Sequence, residues 1–231
     1  MGQIQTAKIL DKLGGSPERK QELEAQGYVN LGVIDPDIDT LAVAEKIGSV
    51  VKISGVPAVQ SLTPKYKKET PPNIYSGNFG LKEFPLHTDL AHWYIPPRFF
   101  ILRAKVPAPD VSTMILHYAK FLKDVPSKLV SRALFKPRRK LDNKLFLLRL
   151  VSQGISRWDE IFISPENDSA KCISEYIKNK DFSTVTDKIS FMNKGETLLV
   201  DNWKVLHGRS KVPQGSMNRT VERVYLSEMS N

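Results

Sequence analysis

The chain has 231 residues, enough for one domain with a sizeable core, and its 41% apolar and 26% charged residues are those of a globular protein. A single cysteine, Cys172, excludes an intramolecular disulfide and a cysteine-built zinc site. No apolar run reaches the roughly 18 residues of a membrane span, and 34 basic against 25 acidic side chains give a net charge of +9 that bears on partners rather than on fold.

The opening "MGQIQTAKILDKLGG" has neither the apolar length nor the cleavage site of a secretory signal, which points to a soluble, cytoplasmic protein. "GSPERKQELEAQG" predicts a helix capped by Ser16, with Pro17 at its first position and Gly27 at its stop. "YVNLGVI" reads as a strand. "DIDTLAVAEKIG" reads as a second helix capped by Asp37 or Asp39, and "SVVKIS" as another strand. Residues 1–60 thus form a βαβ-like framing layer. Residues 63–80, rich in Pro, Gly, Asn and Lys, read as a long loop of the kind that often serves as a lid. Strand signals then dominate at 97–106 and 111–118. "AKFLKDVPSKLVSRALF" predicts two short helices split before Pro126. "KLFLLRLV" and "RWDEIFIS" read as strands, and "NDSAKCISEYIKN" as a helix in which Cys172 is expected to be buried and inert. The last strands fall in "KISFMNKGETLLVDNWKVLHGRS" and "NRTVERVYLSE", with turns at Gly195 and Asp201–Asn202. Short strands with helices early and in an insertion suggest a mainly β single domain, a jelly-roll or barrel with flanking helices.

"EFPLHTDLAHWY" carries His87 and Asp89 two apart in a strand-like segment. Side chains at i and i+2 of a strand share a side, so both groups face one point. Three other histidines could complete a metal site. His92, in a Trp/Tyr-rich stretch, reads better as a pocket or surface residue. His117 ends an apolar strand and reads as a hydrogen-bonded strand end. His207 stands where an apolar strand resumes after a turn, as a ligand brought in by an adjacent strand would. Two histidines and one carboxylate on one face are the facial triad of non-haem Fe(II) oxygenases, whose open positions admit an α-keto acid and O2. Further on, Arg219 and Arg223 lie on one side of "NRTVERVYL", either solvated or lining a barrel interior where a guanidinium can grip a carboxylate bidentately.

With "PLHTDLAHWYIPPRFFILRAKVPAP", "STMIL", "GETLLVDNWKVLHGRS" and "NRTVERVYL" in this order, the chain resembles the taurine dioxygenase-like and clavaminate synthase-like Fe(II)/2-oxoglutarate oxygenases. The resemblance runs over 83–226, with 119–185 as a divergent insertion. It implies a double-stranded β-helix with the site inside the barrel. It further implies that His87, Asp89 and His207 hold Fe(II), that Arg219 and Thr113 hold the distal carboxylate of 2-oxoglutarate, and that Arg223 serves the cosubstrate or an anionic substrate. The implied reaction is hydroxylation of an unactivated C–H bond of a small, amino acid-like metabolite, with release of succinate and CO2. Desaturation or ring closure would use the same residues. The carboxylate at Asp89 leaves no room for the chloride of a halogenating relative. His92 and Tyr94 are candidate substrate contacts, and Trp203 a core residue.

Two further readings stand beside this one. A jelly-roll that keeps the ligands could be an inactive binding or sensor protein. The basic run from Lys136 to Lys144 could serve an acidic carrier protein bearing the substrate. A nucleic-acid partner is disfavoured, because one dense basic run without exposed stacking aromatics is not a nucleic-acid motif.

Overall fold

The computed structural model describes residues 16–72, 74–141 and 144–230, so the reading of the N-terminal segment lies outside the described residues. In chain order the helices are α1 (Pro17–Gln26), α2 (Thr40–Ile47), α3 (Tyr75–Phe79), α4 (Tyr118–Phe121), α5 (Ser127–Arg132) and α6 (Asp168–Asn179). The strands are β1 (Tyr28–Val33), β2 (Gly48–Val50), β3 (Gln60–Leu62), β4 (Phe84–His87), β5 (Phe99–Val106), β6 (Ser112–His117), β7 (Leu134–Pro137) and β8 (Leu148–Arg149), followed by β9 (Val151–Ser152), β10 (Ile155–Ser156), β11 (Ile163–Pro165), β12 (Asp187–Ser190), β13 (Glu196–Asp201), β14 (Val205–Arg209) and β15 (Thr220–Met229).

Two antiparallel sheets face each other. The larger runs β1-β13-β5-β15-β2, with β3 also on β15, and the smaller runs β12-β6-β14-β4. This is a double-stranded β-helix. β1 and β2 lie at opposite edges of the larger sheet, and α2 crosses between them, as the βαβ-like opening implied. Alternation along the strands separates three apolar layers. Phe100, Leu102, Ile115, Leu198, Val205 and Tyr225 fill the space between the sheets. Phe99, Ile101 and Val224 turn outward to meet Val43 and Ile47 of α2. Leu116 and Leu206 leave the smaller sheet on its other face and meet Phe121, Phe135, Trp158 and Ile173. The insertion is therefore a covering layer with its own core, held to the barrel through residues adjacent to the site strands.

Local signals account for most element ends. Ser16 accepts a hydrogen bond from the Arg19 N–H, and Gly27 closes α1 with φ 77°. Asp39, not Asp37, caps α2 by accepting from the Ala42 N–H. Four readings are corrected. β4 ends at His87, and Asp89 sits beyond it, ahead of Leu90 with φ 55°, so strand alternation is not what aims the two side chains together. "RWDEIFIS" is not one strand, because the Asp159 side chain accepts from the Ile161 and Phe162 N–H groups and folds a turn between β10 and β11. Leu134 and Phe135 leave the second short helix for β7. Cys172 is exposed, since α6 buries Ala170, Ile173 and Ser174 on its opposite side. The 63–80 segment carries a 3-10 turn at Lys67–Glu69 and α3.

Strand pairing fixes the site. His207 of β14 is opposite His87 of β4 and Ile115 of β6. The β4–β14 pairing becomes irregular between His207 and Arg209, at Gly208. A Cβ there would lie 2.5 Å from the Phe84 carbonyl oxygen, so the two strands close to this distance only on glycine.

Candidate active site

His87, Asp89 and His207 are all buried, and one potential ligand atom from each lies within 4.8 Å of the others. The Nε2 atoms of His87 and His207 stand 3.6 and 3.5 Å from Asp89 Oδ1. These separations exceed a hydrogen bond. His87 Nδ1 lies 2.8 Å from the Pro85 carbonyl oxygen, which can only accept, so the Nδ1 carries the proton and the Nε2 lone pair points at the shared gap. Burial drives the His207 imidazole down to about 4, which keeps it neutral. Burial would raise the Asp89 carboxyl, but the Arg223 guanidinium outweighs it and holds the group well below the usual carboxylate range. Two imidazole lone pairs and an ionised carboxylate thus face one small volume without bonding one another. Such a set is costly when buried and is relieved by a cation. Its donors are those preferred by Fe(II) in the two-histidine, one-carboxylate arrangement, so the residues fit that metal.

The segment after His87 is tied down from two directions. The Thr88 N–H donates to the Trp158 carbonyl at 2.8 Å. The Asn202 side chain, fully buried, accepts from the Asp89 N–H at 2.9 Å and donates to the Asp89 and Pro97 carbonyls at 3.0 and 2.9 Å. Buried Arg157 donates to the carbonyls of Ala91, Trp93 and Tyr94. Arg223 takes the other carboxylate oxygen, with Nη1 at 2.6 Å from Asp89 Oδ2 and Nη2 at 2.7 Å from Gln60 Oε1. Asp89 therefore offers Oδ1 alone to the gap.

A cavity of about 430 Å3 opens on these atoms, within the usual span of small-molecule sites. It contains Thr113, Arg219, Arg223 and His92 of the sequence-predicted set. Arg219 is 6% exposed, and among the described residues no carboxylate pairs with it. Burial lowers its pKa to about 10, which leaves it cationic. The structure does not bring Tyr94 to the site. It is 66% exposed with its ring edge-on to Phe146, because the turn that begins after Asp89 sends it outward. His117 caps α4 through the Ala119 N–H, and the Trp203 indole donates to the Pro96 carbonyl.

Two residues of the cavity escaped the sequence reading. Asp159 is 1% exposed, has no cationic side chain bonded to it among the described residues, and is pushed up by burial. Tyr75 stacks on the His87 ring with centroids 4.0 Å apart. Its buried hydroxyl lacks a partner among the described residues and is raised well above its ordinary range by burial and by Asp159. Only the Asp in "RWDEIF", a carboxylate in an otherwise strand-like run, could have signalled the first.

No family model matches the chain, and no curated protein matches it in sequence. Solved structures do match. An asparagine oxygenase in complex with Fe(II), 2S,3S-3-hydroxyasparagine and succinate superposes with a TM-score of 0.67 at 16% identity, over 95% of this chain and 79% of that one. PvcB from Pseudomonas aeruginosa gives 0.63 at 16% identity, over 92% and 81%. A taurine dioxygenase from Burkholderia xenovorans gives 0.62 at 15% identity, over 94% and 82%.

Asn202 holds both backbone groups of Asp89. Asn202→Leu, which keeps the branched shape without the amide, leaves them buried and unsatisfied and is expected to lower stability by roughly 2–5 kcal/mol in denaturant unfolding; a loss near zero would show that water replaces the amide. The superpositions establish the fold, and the chain is a double-stranded β-helix of the kind found in the taurine dioxygenase-like oxygenases.

Proposed function

We propose that this protein is a non-haem Fe(II)/2-oxoglutarate-dependent dioxygenase that hydroxylates a small, amino acid-like substrate. The observation that carries the reading is the convergence of His87, Asp89 and His207 in one cavity with the buried Arg219, which joins no ion pair among the described residues. When bound, Fe(II) and 2-oxoglutarate supply the oxidising chemistry, releasing succinate and CO2 and using O2.

The chain's own residues do the rest. His87 and His207 present their Nε2 atoms, and Asp89 presents one oxygen because Arg223 occupies the other. Arg219 supplies a cation in a desolvated pocket where a dicarboxylate gains most from a guanidinium fork, and the Thr113 hydroxyl lines the same cavity. The 63–80 segment contributes Thr63, Lys65, Ile74 and Tyr75 to the wall and acts as a lid that keeps water from the site. Asp159, a buried carboxylate without a cation among the described residues, receives an ammonium or amide group of the substrate. The asparagine oxygenase that shares this fold was solved with a hydroxylated amino acid and succinate, which supports the choice. A carrier-tethered amino acid fits the same cavity.

Two outcomes check the reading. Anaerobic addition of Fe(II) and 2-oxoglutarate is expected to produce a weak visible charge-transfer band, and Arg219→Ala should weaken 2-oxoglutarate affinity by about 2–5 kcal/mol. No band in the wild type would leave a binding protein, and an unchanged affinity would mean that another group holds the cosubstrate. Among candidate amino acids, amines and sulfonates, those with an amino or amide group should stimulate succinate formation, and Asp159→Asn should abolish that preference. Equal stimulation of both proteins would remove Asp159 from the substrate site.

A further inference from the structure

A second cavity, of about 900 Å3, adjoins the first. His92 and Phe162 line both, so the two meet at that pair. The buried Nδ1 of His92 has no hydrogen-bond partner among the described residues. The floor of the outer cavity includes the buried rings of Phe135 and Trp158, and Phe79 of α3 forms part of its wall. Its rim is basic, since Arg138, Arg139 and Lys140 come from the chain after β7 and Lys178 comes from α6.

These four cations differ from their neighbours. Lys136, Lys171 and Lys180 are each paired, with Glu166, Asp168 and Asp124. Among the described residues Arg138, Arg139, Lys140 and Lys178 join no ion pair, and only one carboxylate, Glu160, lines the cavity with them. Arg138 donates to the Glu160 backbone carbonyl at 3.3 Å rather than to its side chain. The four cations come from two separate elements onto one cavity, and that cavity meets the triad's cavity at His92 and Phe162.

We propose that this vestibule binds a phosphate-type group at the far end of an extended substrate whose other end reaches the triad. A single carboxylate needs one guanidinium fork. Two adjacent arginines with two lysines against one carboxylate among the described residues match a multiply charged oxyanion. The apolar floor accommodates the limb between the anion and the neck at His92 and Phe162. The anion site stands on these residues alone; that the inner end of the ligand is oxidised rests on the oxygenase reading.

The test is calorimetric titration of the metal-free protein with pyrophosphate at low salt. Saturable one-to-one binding is expected. Charge reversal in Arg138→Glu/Arg139→Glu, at exposed positions, should weaken it at least about tenfold, roughly 1.4 kcal/mol. Lys188→Glu/Lys211→Glu, which places equal charge elsewhere on the surface, and Arg219→Ala, in the inner cavity, should leave it unchanged. Coenzyme A and phosphate-free pantetheine separate the sources. Tighter binding of coenzyme A than of pyrophosphate, with pantetheine silent, supports a phosphate on a long acyl-carrying arm; equal binding of coenzyme A and pyrophosphate supports a small phosphorylated metabolite. The proposal is overturned by absence of saturable binding, by equal weakening in the surface control, by loss in Arg219→Ala, or by pantetheine binding as well as coenzyme A. Tighter binding of a single-stranded oligonucleotide with a steep salt dependence would also overturn it, in favour of nucleic acid. Because the protein is metal-free, a triad that holds no metal leaves this result intact, and a silent titration leaves the oxygenase reading intact.

Discussion

The structure is organised around a local electrostatic conflict. Three electron-rich groups, the imidazoles of His87 and His207 and the Asp89 carboxylate, are buried facing one another at distances too long for hydrogen bonds. Polar groups left without partners in the interior are costly. The fold nevertheless enforces this arrangement from three directions. Cross-strand pairing sets His207 against His87, a glycine lets the strands approach, and Asn202 fixes the backbone of Asp89. Constraints of this number are expected where a bound cation resolves the conflict. Arg223 sharpens it further by withdrawing one carboxylate oxygen from the gap.

The cavity around this point has two further unpaired charges. Arg219 is a buried cation without an anion, and Asp159 is a buried carboxylate without a cation among the described residues. They do not compensate each other by contact. The two charges stand on the wall of one cavity, with room for a ligand between them. The stacking of Tyr75 on His87 couples the 63–80 segment to the triad directly.

Legibility in the sequence followed the range of the forces involved. Caps at Ser16 and Asp39 and the strands at 97–106, 111–118 and in the last segments were readable because local propensity and alternation decide them. The triad was readable because histidines are few and the chemistry of the donor set is specific. The reason offered for His87 and Asp89 pointing together did not hold, since β4 stops at His87 and a tied-down turn aims the aspartate. Asp159 was hidden because its own side chain makes the turn that breaks an apparent strand. Tyr94 was misplaced because position near a ligand in sequence does not fix direction after a positive-φ residue. The burial of Arg157 and Asn202, which depends on contacts across more than 60 and 100 positions, carries no local signal.

The central claim is that the three donors hold one metal ion, and crystals soaked with Mn(II) under anaerobic conditions test it most directly. A single anomalous peak bonded to His87 Nε2, Asp89 Oδ1 and His207 Nε2, with Asp89 Oδ2 still on Arg223, is the predicted result. A peak elsewhere, or none while the three side chains keep their positions, would contradict it.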